Sequence, residues 1–273
     1  MVPEYFTMAS IPDATLKEAA NLIKPYATAL SWDGRLVGSG TFVRINGRSG
    51  ILTARHVWDV IDRARAQQPE VNLIVADGPH RFRITVDHLT PWVALSPVSI
   101  DLGPDIQFLE LPAAVIGRIA ARKSFAELTA TAGEYRAIAL GKDGFGVVAG
   151  FPGEFVSQEL PADGGDITAV FAGGFVAPID RHWEEGGYDY METTALRTLK
   201  GIPTSFGGVS GAGLWQMVLK KKAGAPIAEA TLGKFALAGV AYLQIPTPPD
   251  KMVVRYHGPE TIYGLLNKIV PEI

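Results

Sequence analysis

Apolar and polar residues alternate in short runs over most of the chain, which is the pattern of half-buried β-strands. Residues 35–45 (RLVGSGTFVRI) and 50–54 (GILTA) are two such runs, and the Asn46–Gly47 pair between them is a strong signal for a tight hairpin. Further strands are predicted in segments with the sequences VNLIVAD, HRFRITVDHL, DIQFLELP, EYRAIALG, GVVAGFP, DITAVFAGGFV, YDYMETTAL, GLWQMVL and FALAGVAYLQI. Many short strands with closely spaced turns indicate an all-β architecture.

Helical periodicity is confined to a few segments. Residues 13–24 (DATLKEAANLIK) form an amphipathic stretch that ends before Pro25, and we expect this helix to be an arm packed on the main body. Residues 113–123 are the best helical candidate in the middle of the chain, and residues 258–270 (GPETIYGLLNKIV) predict a C-terminal helix with Pro259 near its start.

Composition fits a soluble globular protein. Of the 273 residues, 47% are hydrophobic and 19% charged, which is enough apolar material for one large domain or two small ones. The net charge of −3 gives no electrostatic reason to expect binding to nucleic acid or to an anionic membrane. The 30 glycines and 19 prolines favour many turns.

The chain contains no cysteine, which excludes disulfides, thiol chemistry and cysteine-based zinc sites. Its first residues lack the basic stretch and apolar run of a signal peptide. No run approaches the roughly 18 apolar residues that a membrane-spanning helix needs. These features together predict a cytoplasmic location.

The stretch SFGGVSGAGLW, residues 205–215, raises the question of whether Ser210 is a nucleophile. A serine hydroxyl needs a neighbouring base, and the chain offers five histidines. An α/β-hydrolase would place the acid and the histidine after the serine, but only His257 lies downstream. Ala212 also occupies the last glycine position of that enzyme class's motif, and the required alternation of strands and helices is missing.

The opposite chain order, in which the histidine and the aspartate come before the serine, fits the sequence better. His56 directly follows a predicted strand in GILTARHVWDV, and Asp105 opens the predicted strand DIQFLELP. Asp101 lies four residues earlier, and Asp105 is preferred because it directly precedes the apolar strand. The remaining histidines have no recognisable partner and are interpreted as structural or surface residues: His80, His88, His182 and His257.

These motifs resemble those of trypsin/chymotrypsin-fold serine proteases, in particular the compact, disulfide-free bacterial trypsin-like peptidases. GSGTFV…GILTARHV is similar to the family segment that carries the catalytic histidine, and DIQFLEL to the segment that carries the aspartate. GFPGE is similar to the Gly-Tyr-Pro turn of bacterial members, and GGVSGAGLW…LAGVAYL to the nucleophile loop with its following hairpin. The matches are spread over residues 36–245 and occur in the family's order.

The resemblance implies two packed, antiparallel, six-stranded β-barrels. We expect an N-terminal helical arm (1–29), a first barrel (30–125) with His56 and Asp105, a second barrel (126–257) with Ser210, and a C-terminal helix (258–273). The active site would lie in the cleft between the barrels.

The resemblance also assigns roles. Ser210 would attack the scissile carbonyl, His56 would accept and return the proton, and Asp105 would fix the histidine tautomer. The backbone amides of Gly208 and Ser210 would form the oxyanion hole, and a glycine at 208 helps the chain turn an amide inward. This chemistry needs no metal and no organic cofactor.

Two positions depart from the digestive members of the family. Val209 replaces the aspartate that pairs with a newly cut N-terminus there, so zymogen-type activation by that pair is not expected. Thr204 falls at the expected base of the specificity pocket, whose facing wall would be Tyr242, Leu243 and Gln244. No carboxylate stands at Thr204, and we therefore predict a small or medium uncharged residue at the cleavage position.

The leading interpretation is a soluble serine endopeptidase that acts on a protein or peptide substrate and is restrained by a regulatory protein partner, with no nucleic-acid or membrane partner. A catalytically silent or partner-activated module of the same fold, acting as a protein-binding domain, is the first alternative. An unrelated β-barrel with chance motifs is the second.

Overall fold

Seventeen strands and a few short helices make up the described part of this computed structural model. The described residues are 11–32, 35–67, 72–77, 80–92, 104–129, 133–139, 144–159, 166–169, 172–177, 179–196, 205, 207–221, 225–247 and 250–273. The strands of the first sheet are β1 (Ala27–Trp32), β2 (Arg35–Ile45), β3 (Arg48–Thr53), β4 (Asn72–Asp77), β5 (His80–Thr85), β6 (Thr90–Trp92), β7 (Gln107–Glu110) and β8 (Ala126–Glu127).

The rest of the chain contributes a second sheet and a separate hairpin. The hairpin is β10 (Val156–Glu159) with β11 (Asp166–Ala169). The strands of the second sheet are β9 (Gly144–Gly150), β12 (Ala172–Ala177), β13 (Ile179–Glu185), β14 (Tyr188–Leu196), β15 (Gly213–Lys220), β16 (Thr231–Thr247) and β17 (Lys251–His257).

The strand order confirms the all-β prediction of two antiparallel units. The first sheet runs β5-β4-β1-β2-β3-β7-β6, with β8 added in parallel to β2, and the second runs β12-β9-β15-β16-β17-β14-β13. The sheets have eight and seven strands where six each were predicted. The first sheet's total includes β6, with three residues, and β8, with two, whereas every strand of the second sheet has at least six. Among the described residues neither sheet closes on itself through hydrogen bonds.

The hairpin predicted at Asn46–Gly47 is present between β2 and β3. Both residues have positive φ, 50° for Asn46 and 84° for Gly47, and Ile45 pairs directly with Arg48. A two-residue turn of this kind matches the right-handed twist of the strands, so it fixes their register. That register brings Thr53 to the end of β3, three residues before His56.

The helices lie on the outside of the sheets. They are α1 (Asp13–Ile23), α2 (Arg55–Arg65), α3 (Ala113–Ala120), α4 (Gly133–Ala139) and, after a π-helical turn (Glu260–Leu265), α5 (Leu266–Ile269). The predicted helices near both ends and in the middle are therefore confirmed. The N-terminal helix α1 contacts β9, β12 and β16 of the second sheet.

Two strand predictions are wrong. The segment EYRAIALG was predicted as a strand, but residues 133–139 form α4, because Glu, Arg and Ala favour helices and the apolar alternation is too short to outweigh them. The segment DITAVFAGGFV was predicted as one strand, but it contributes β11 and β12, which pair with different partners. A continuous apolar run does not show where a chain changes partner.

The buried apolar residues form two clusters. One includes Leu30, Phe42 and Ile51 of the first sheet together with Trp58 and Ile61 of α2. The other lies mainly in the second sheet and includes Val147, Leu214 and Val240. Because α2 is anchored in the first cluster, the residue at its start is held against the first sheet.

Candidate active site

His56 lies in the first turn of α2, immediately after β3. Its neighbours Val57 and Trp58 are buried, and they fix the start of the helix against the first sheet. The imidazole itself is turned outward, with about half of its side chain (49%) exposed. The local fold therefore presents a histidine at the surface on a rigid base.

Asp105 contacts His56 through both carboxylate oxygens. Oδ2 lies 2.5 Å from His56 Nδ1, and Oδ1 accepts a 2.8 Å hydrogen bond from the His56 backbone N–H. The aspartate side chain is only 11% exposed. Because an ionised carboxylate only accepts hydrogen bonds, Nδ1 carries the proton and Nε2 presents its lone pair. The structure thus brings together the two residues predicted as base and orienting acid.

The backbone of Asp105 is held by a residue that the sequence did not single out. Its N–H donates a 2.9 Å hydrogen bond to Nε2 of His257, which is fully buried in β17. Burial lowers the pKa of His257 from its ordinary value to about 4, and the charges of Asp105 and Asp189 partly oppose this. No local motif marks such a pair, because the two residues are 152 positions apart.

Ser210 lies in the segment Gly207–Ala212, the nucleophile loop, whose carbonyl groups are hydrogen-bonded one after another. Written from donor to acceptor, the hydrogen bonds are Gly153 N to Gly207 O (2.6 Å), Ser39 Oγ to Gly208 O (2.7 Å), Ala212 N to Val209 O (2.8 Å), Ser39 N to Ser210 O (2.8 Å) and Thr41 Oγ1 to Gly211 O (3.3 Å). Three of these five donors come from β2, so the first sheet directly holds a loop of the second.

The amide groups of the nucleophile loop show the opposite pattern. Within the described residues, the N–H groups of Gly208, Val209 and Ser210 have no hydrogen-bond acceptor. In a trans peptide the N–H points away from the preceding carbonyl. The bonds to the carbonyls of Gly207 and Val209 therefore also fix the directions of the Gly208 and Ser210 amides.

Two glycines make this loop conformation possible. Gly208 has φ of +89° and Gly211 has φ of +90°, a region that residues with a Cβ rarely adopt. A Cβ on Gly208 would lie 2.8 Å from Phe151 O, and one on Gly211 would lie 2.0 Å from Ser39 O. Both glycines are therefore needed for space as well as for conformation.

Ser39 was not predicted as part of the site. It is fully buried, and its hydroxyl both donates to Gly208 O and accepts a 2.9 Å hydrogen bond from Phe151 N. Thr53 Oγ1 in turn donates to Ser39 O at 2.7 Å. The sequence GSG around Ser39 was noted only as part of a motif, and its side-chain contacts arise from the way the two sheets pack.

The nucleophile loop and the start of α2 meet at Gly38. A Cβ there would lie 3.0 Å from Ser210 O and 2.6 Å from a methyl group of Val57, the residue after His56. Ser210 and His56 are thus brought to the same part of the molecule. No hydrogen bond joins their side chains within the described residues.

Val209 is buried, with 2% of its surface exposed, and it belongs to the second sheet's core cluster. A valine cannot form an ion pair. Its side chain instead makes apolar contacts in the core. The nucleophile loop is therefore held without a charged residue before Ser210.

The residues predicted to bind substrate are only partly described. Thr204 and the alternative acid Asp101 lie outside the described residues. Tyr242 is buried and stacks on His257, whereas Leu243 is half-buried and Gln244 is exposed. Burial raises the pKa of Tyr242 above its ordinary value.

Next to Ser210, one edge of β16 has no strand paired with it in the described part of the chain. Gly211 N donates to Ala241 O at 2.7 Å, and Ala241 N donates to Ala212 O at 2.9 Å. Beyond Ala241, β16 pairs with β17 on one side, and no described strand pairs with its other side. Among the described residues, the backbone groups of residues 242–247 thus form an unpaired strand edge that starts at the nucleophile loop.

A cavity of about 620 Å³ adjoins the nucleophile loop. It is lined by Arg35, Leu36, Gly153, Glu154, Ser205, Gly207 and Gly208. Among the described residues no cluster of three or more histidine, aspartate or glutamate side chains has the arrangement of a metal site. None of the described helices combines the length and apolar character needed to cross a membrane.

Comparison with solved structures identifies the fold. Neuropsin, a serine protease expressed in the limbic system of mouse brain, aligns with a TM-score of 0.51 at 14% identity, over 90% of this chain and 94% of neuropsin. Kallikrein-related peptidase 10 aligns with a TM-score of 0.51 at 13% identity, over 91% and 96% of the two chains. The serine protease domain of the Sesbania mosaic virus polyprotein aligns at 13% identity with a TM-score of 0.46, over 89% and 92%.

No protein-family model and no curated protein sequence matches the chain. The chain has the chymotrypsin-like fold of the trypsin-like serine proteases. At identities this low, the structural alignments establish the fold alone. The chemistry therefore depends on the residues of this chain.

Proposed function

We propose that this protein is a serine endopeptidase with His56, Asp105 and Ser210 as its catalytic triad. The observation that carries the proposal is the contact of both Asp105 oxygens with His56, beside a loop in which the Gly208 and Ser210 amides are left without acceptors among the described residues. These are the two parts that acyl transfer by serine requires: an oriented base and a place for negative charge.

In the proposed reaction, Ser210 Oγ forms a bond to the scissile carbonyl carbon while its proton passes to His56 Nε2. Asp105 stays ionised and stabilises the imidazolium through Nδ1–H. The proton then moves from Nε2 to the leaving amine as the C–N bond breaks. Water repeats the sequence on the acyl-enzyme, releasing the acid and restoring Ser210.

The oxyanion of each tetrahedral intermediate would be bound by the amides of Gly208 and Ser210. A preorganised donor of this kind typically contributes about 2.7–4 kcal/mol of transition-state stabilisation. Hydrogen bonds to the carbonyls of Gly207 and Val209 hold both peptides in place, which would preorganise the two amides for the charge.

The substrate would bind as an added strand on the unpaired edge of β16. Residues 242–244 begin this edge directly beside Ser210, so a peptide paired with it would be led past the nucleophile. The part of the peptide that leaves first would enter the cavity beside Gly208. We keep Thr204, Tyr242, Leu243 and Gln244 as the proposed specificity residues and a small or medium uncharged residue as the proposed preference. A cytoplasmic location also stays a prediction.

A fluorophosphonate probe tests the proposal. We expect covalent labelling of the wild-type protein, complete loss of labelling in Ser210→Ala, and unchanged labelling in Ser124→Ala, which alters a serine outside the site. Hydrolysis of a mixed peptide library should follow the same pattern. Labelling that persists in Ser210→Ala would assign the reaction to another residue.

A second function is favoured by one observation. The side chains of Ser210 and His56 are not hydrogen-bonded to each other within the described residues. A protein-binding module with the same fold, silent or activated by a partner, would fit this geometry, although catalytic hydrogen bonds often tighten only when substrate binds. Absence of labelling at every pH and with every peptide tested would favour this function.

A further inference from the structure

A buried histidine joins the second sheet to the triad aspartate. His257 is the last residue of β17, is 0% exposed, and accepts a hydrogen bond from the Asp105 backbone N–H at 2.9 Å. The contact links the two sheets at the acid of the candidate triad. Nothing in the proposed reaction uses this imidazole directly.

The hydrogen bond defines the protonation state of His257. A protonated imidazole donates from both nitrogens, so an imidazole that accepts at Nε2 is neutral and carries its hydrogen on Nδ1. Nδ1 has no hydrogen-bond partner among the described residues. The charged or titratable groups that face the ring are Asp105, Asp189 of β14, Tyr190 of β14 and Tyr242 of β16.

Aromatic rings fix the plane of this imidazole. Tyr242 stacks on it with centroids 4.5 Å apart and an interplanar angle of 24°, and Tyr190 lies 5.4 Å away at 45°. Backbone pairing with Val240 and Tyr190 on either side holds the residue in the sheet. The acceptor atom is therefore presented to Asp105 with little freedom to move.

Asp105 depends on such support because its own segment is irregular. Residues 104–106 precede β7 and belong to no helix or strand. Two hydrogen bonds to His56 hold the carboxylate, and the bond to His257 holds the main chain. A shift of the main chain would turn both carboxylate oxygens away from His56.

We propose that His257 is a positioning residue that fixes the backbone of Asp105 and thereby aims its carboxylate at His56. The inference rests on the proposed endopeptidase function and identifies a residue that supports its triad. It differs from a packing role, in which the ring alone would matter.

Two substitutions separate these roles. His257→Phe keeps an aromatic ring next to Tyr242 but removes the acceptor, whereas His257→Gln keeps an acceptor at a similar reach but removes the ring. Loss of one buried hydrogen bond predicts that kcat per active site falls on the order of 10- to 100-fold in His257→Phe, with KM nearly unchanged. His257→Gln should stay within about threefold of wild type.

Active sites are counted by fluorophosphonate titration, so loss of folded protein is not mistaken for loss of kcat. His88→Phe is the matched control, because His88 is exposed and shows no contact with the groups around His257 in the described part of the chain. If His257→Phe does not fold, His257→Leu takes its place with the same expectation. Wild-type kcat in a folded variant without the acceptor, or a greater loss in His257→Gln, would overturn the inference.

A second measurement does not need activity. In the Ser210→Ala background, proton NMR should show a far-downfield signal for His56 Nδ1–H, lost or shifted in His257→Phe and kept in His257→Gln. An unchanged signal in His257→Phe contradicts the inference. Failure of the wild-type protein to react with fluorophosphonate contradicts the endopeptidase proposal instead, while the NMR comparison still tests His257.

Discussion

His56 and Asp105 are held by contacts to side chains, whereas the nucleophile loop is held almost entirely through its backbone. The histidine is fixed by a carboxylate and the aspartate by an imidazole. In the nucleophile loop, every carbonyl from Gly207 to Gly211 has a donor, and the side chain of Ser210 takes no part. Substitutions should therefore affect the first region through loss of a functional group and the second through loss of a backbone conformation.

Asp105→Asn is expected to give the largest effect and to act on the first region alone. The amide side chain cannot accept from His56 Nδ1–H and His56 N–H at both of its ends, so the histidine loses its tautomer. Loss of the triad carboxylate typically lowers kcat roughly 10⁴-fold. Steady-state kinetics with active-site titration measures this, and an unchanged near-ultraviolet circular dichroism spectrum would show that the second region is intact.

Gly208→Ala should break the nucleophile loop and leave the histidine and aspartate untouched. Its Cβ would meet Leu36 and Phe151 O at a φ of +89°, so the peptide has to turn and its amide leaves the proposed oxyanion position. Loss of one oxyanion donor predicts a fall in kcat of about 10²–10³-fold. The proton NMR signal of His56 Nδ1–H should not change. A shifted or lost Nδ1–H signal would show that the two regions are not independent.

The pH dependence of stability tests the residue that joins the regions. The pKa of His257 is lowered to about 4, so below its ordinary value of 6.5 the unfolded chain takes up a proton that the folded protein does not. Its contribution is present at neutral pH and is lost as the pH falls toward 4, by roughly 3 kcal/mol at most.

Urea unfolding at about pH 7.5 and about pH 4.5 measures this loss as the change in the free energy of unfolding. His257→Gln, which does not titrate, should lack that part of the change, and the exposed His88→Gln should retain it. An equal change in the free energy of unfolding between the two pH values, in the wild-type protein and in His257→Gln, would contradict the assignment of this loss to His257.

Ser39→Ala gives the smallest expected effect and sharpens the account of the nucleophile loop. It removes the hydroxyl that joins Gly208 O and Phe151 N. One such loss costs about 1–3 kcal/mol, divided between stability and the position of the Gly208 amide, so kcat should fall about tenfold. Measuring kcat together with the free energy of unfolding in urea separates the effect on the Gly208 amide from the effect on stability. A loss of stability at constant kcat would mean that Ser39 supports the fold and not the oxyanion geometry.

Much of the fold follows from local sequence. The Asn46–Gly47 hairpin was predictable because a two-residue turn with positive φ is encoded by those two residues. Helix α4 was not predictable in the same way, since a few alternating apolar residues resemble a strand until their packing is known. The division of DITAVFAGGFV between two sheets also depends on pairing partners far away in the chain.

For the candidate site, too, local features could be predicted from sequence and contacts between distant residues could not. His56, Asp105 and Ser210 could be proposed from sequence because their order and the strands before them are local features. Ser39 and His257 could not, because their partners Gly208 and Asp105 are 169 and 152 positions away. Sequence alone thus determined most of the strands, the turn and the residues that are proposed as reactive groups. Only the tertiary structure decided which backbone atoms hold those groups, because a hydrogen bond between distant residues depends on how two sheets pack and not on any local pattern.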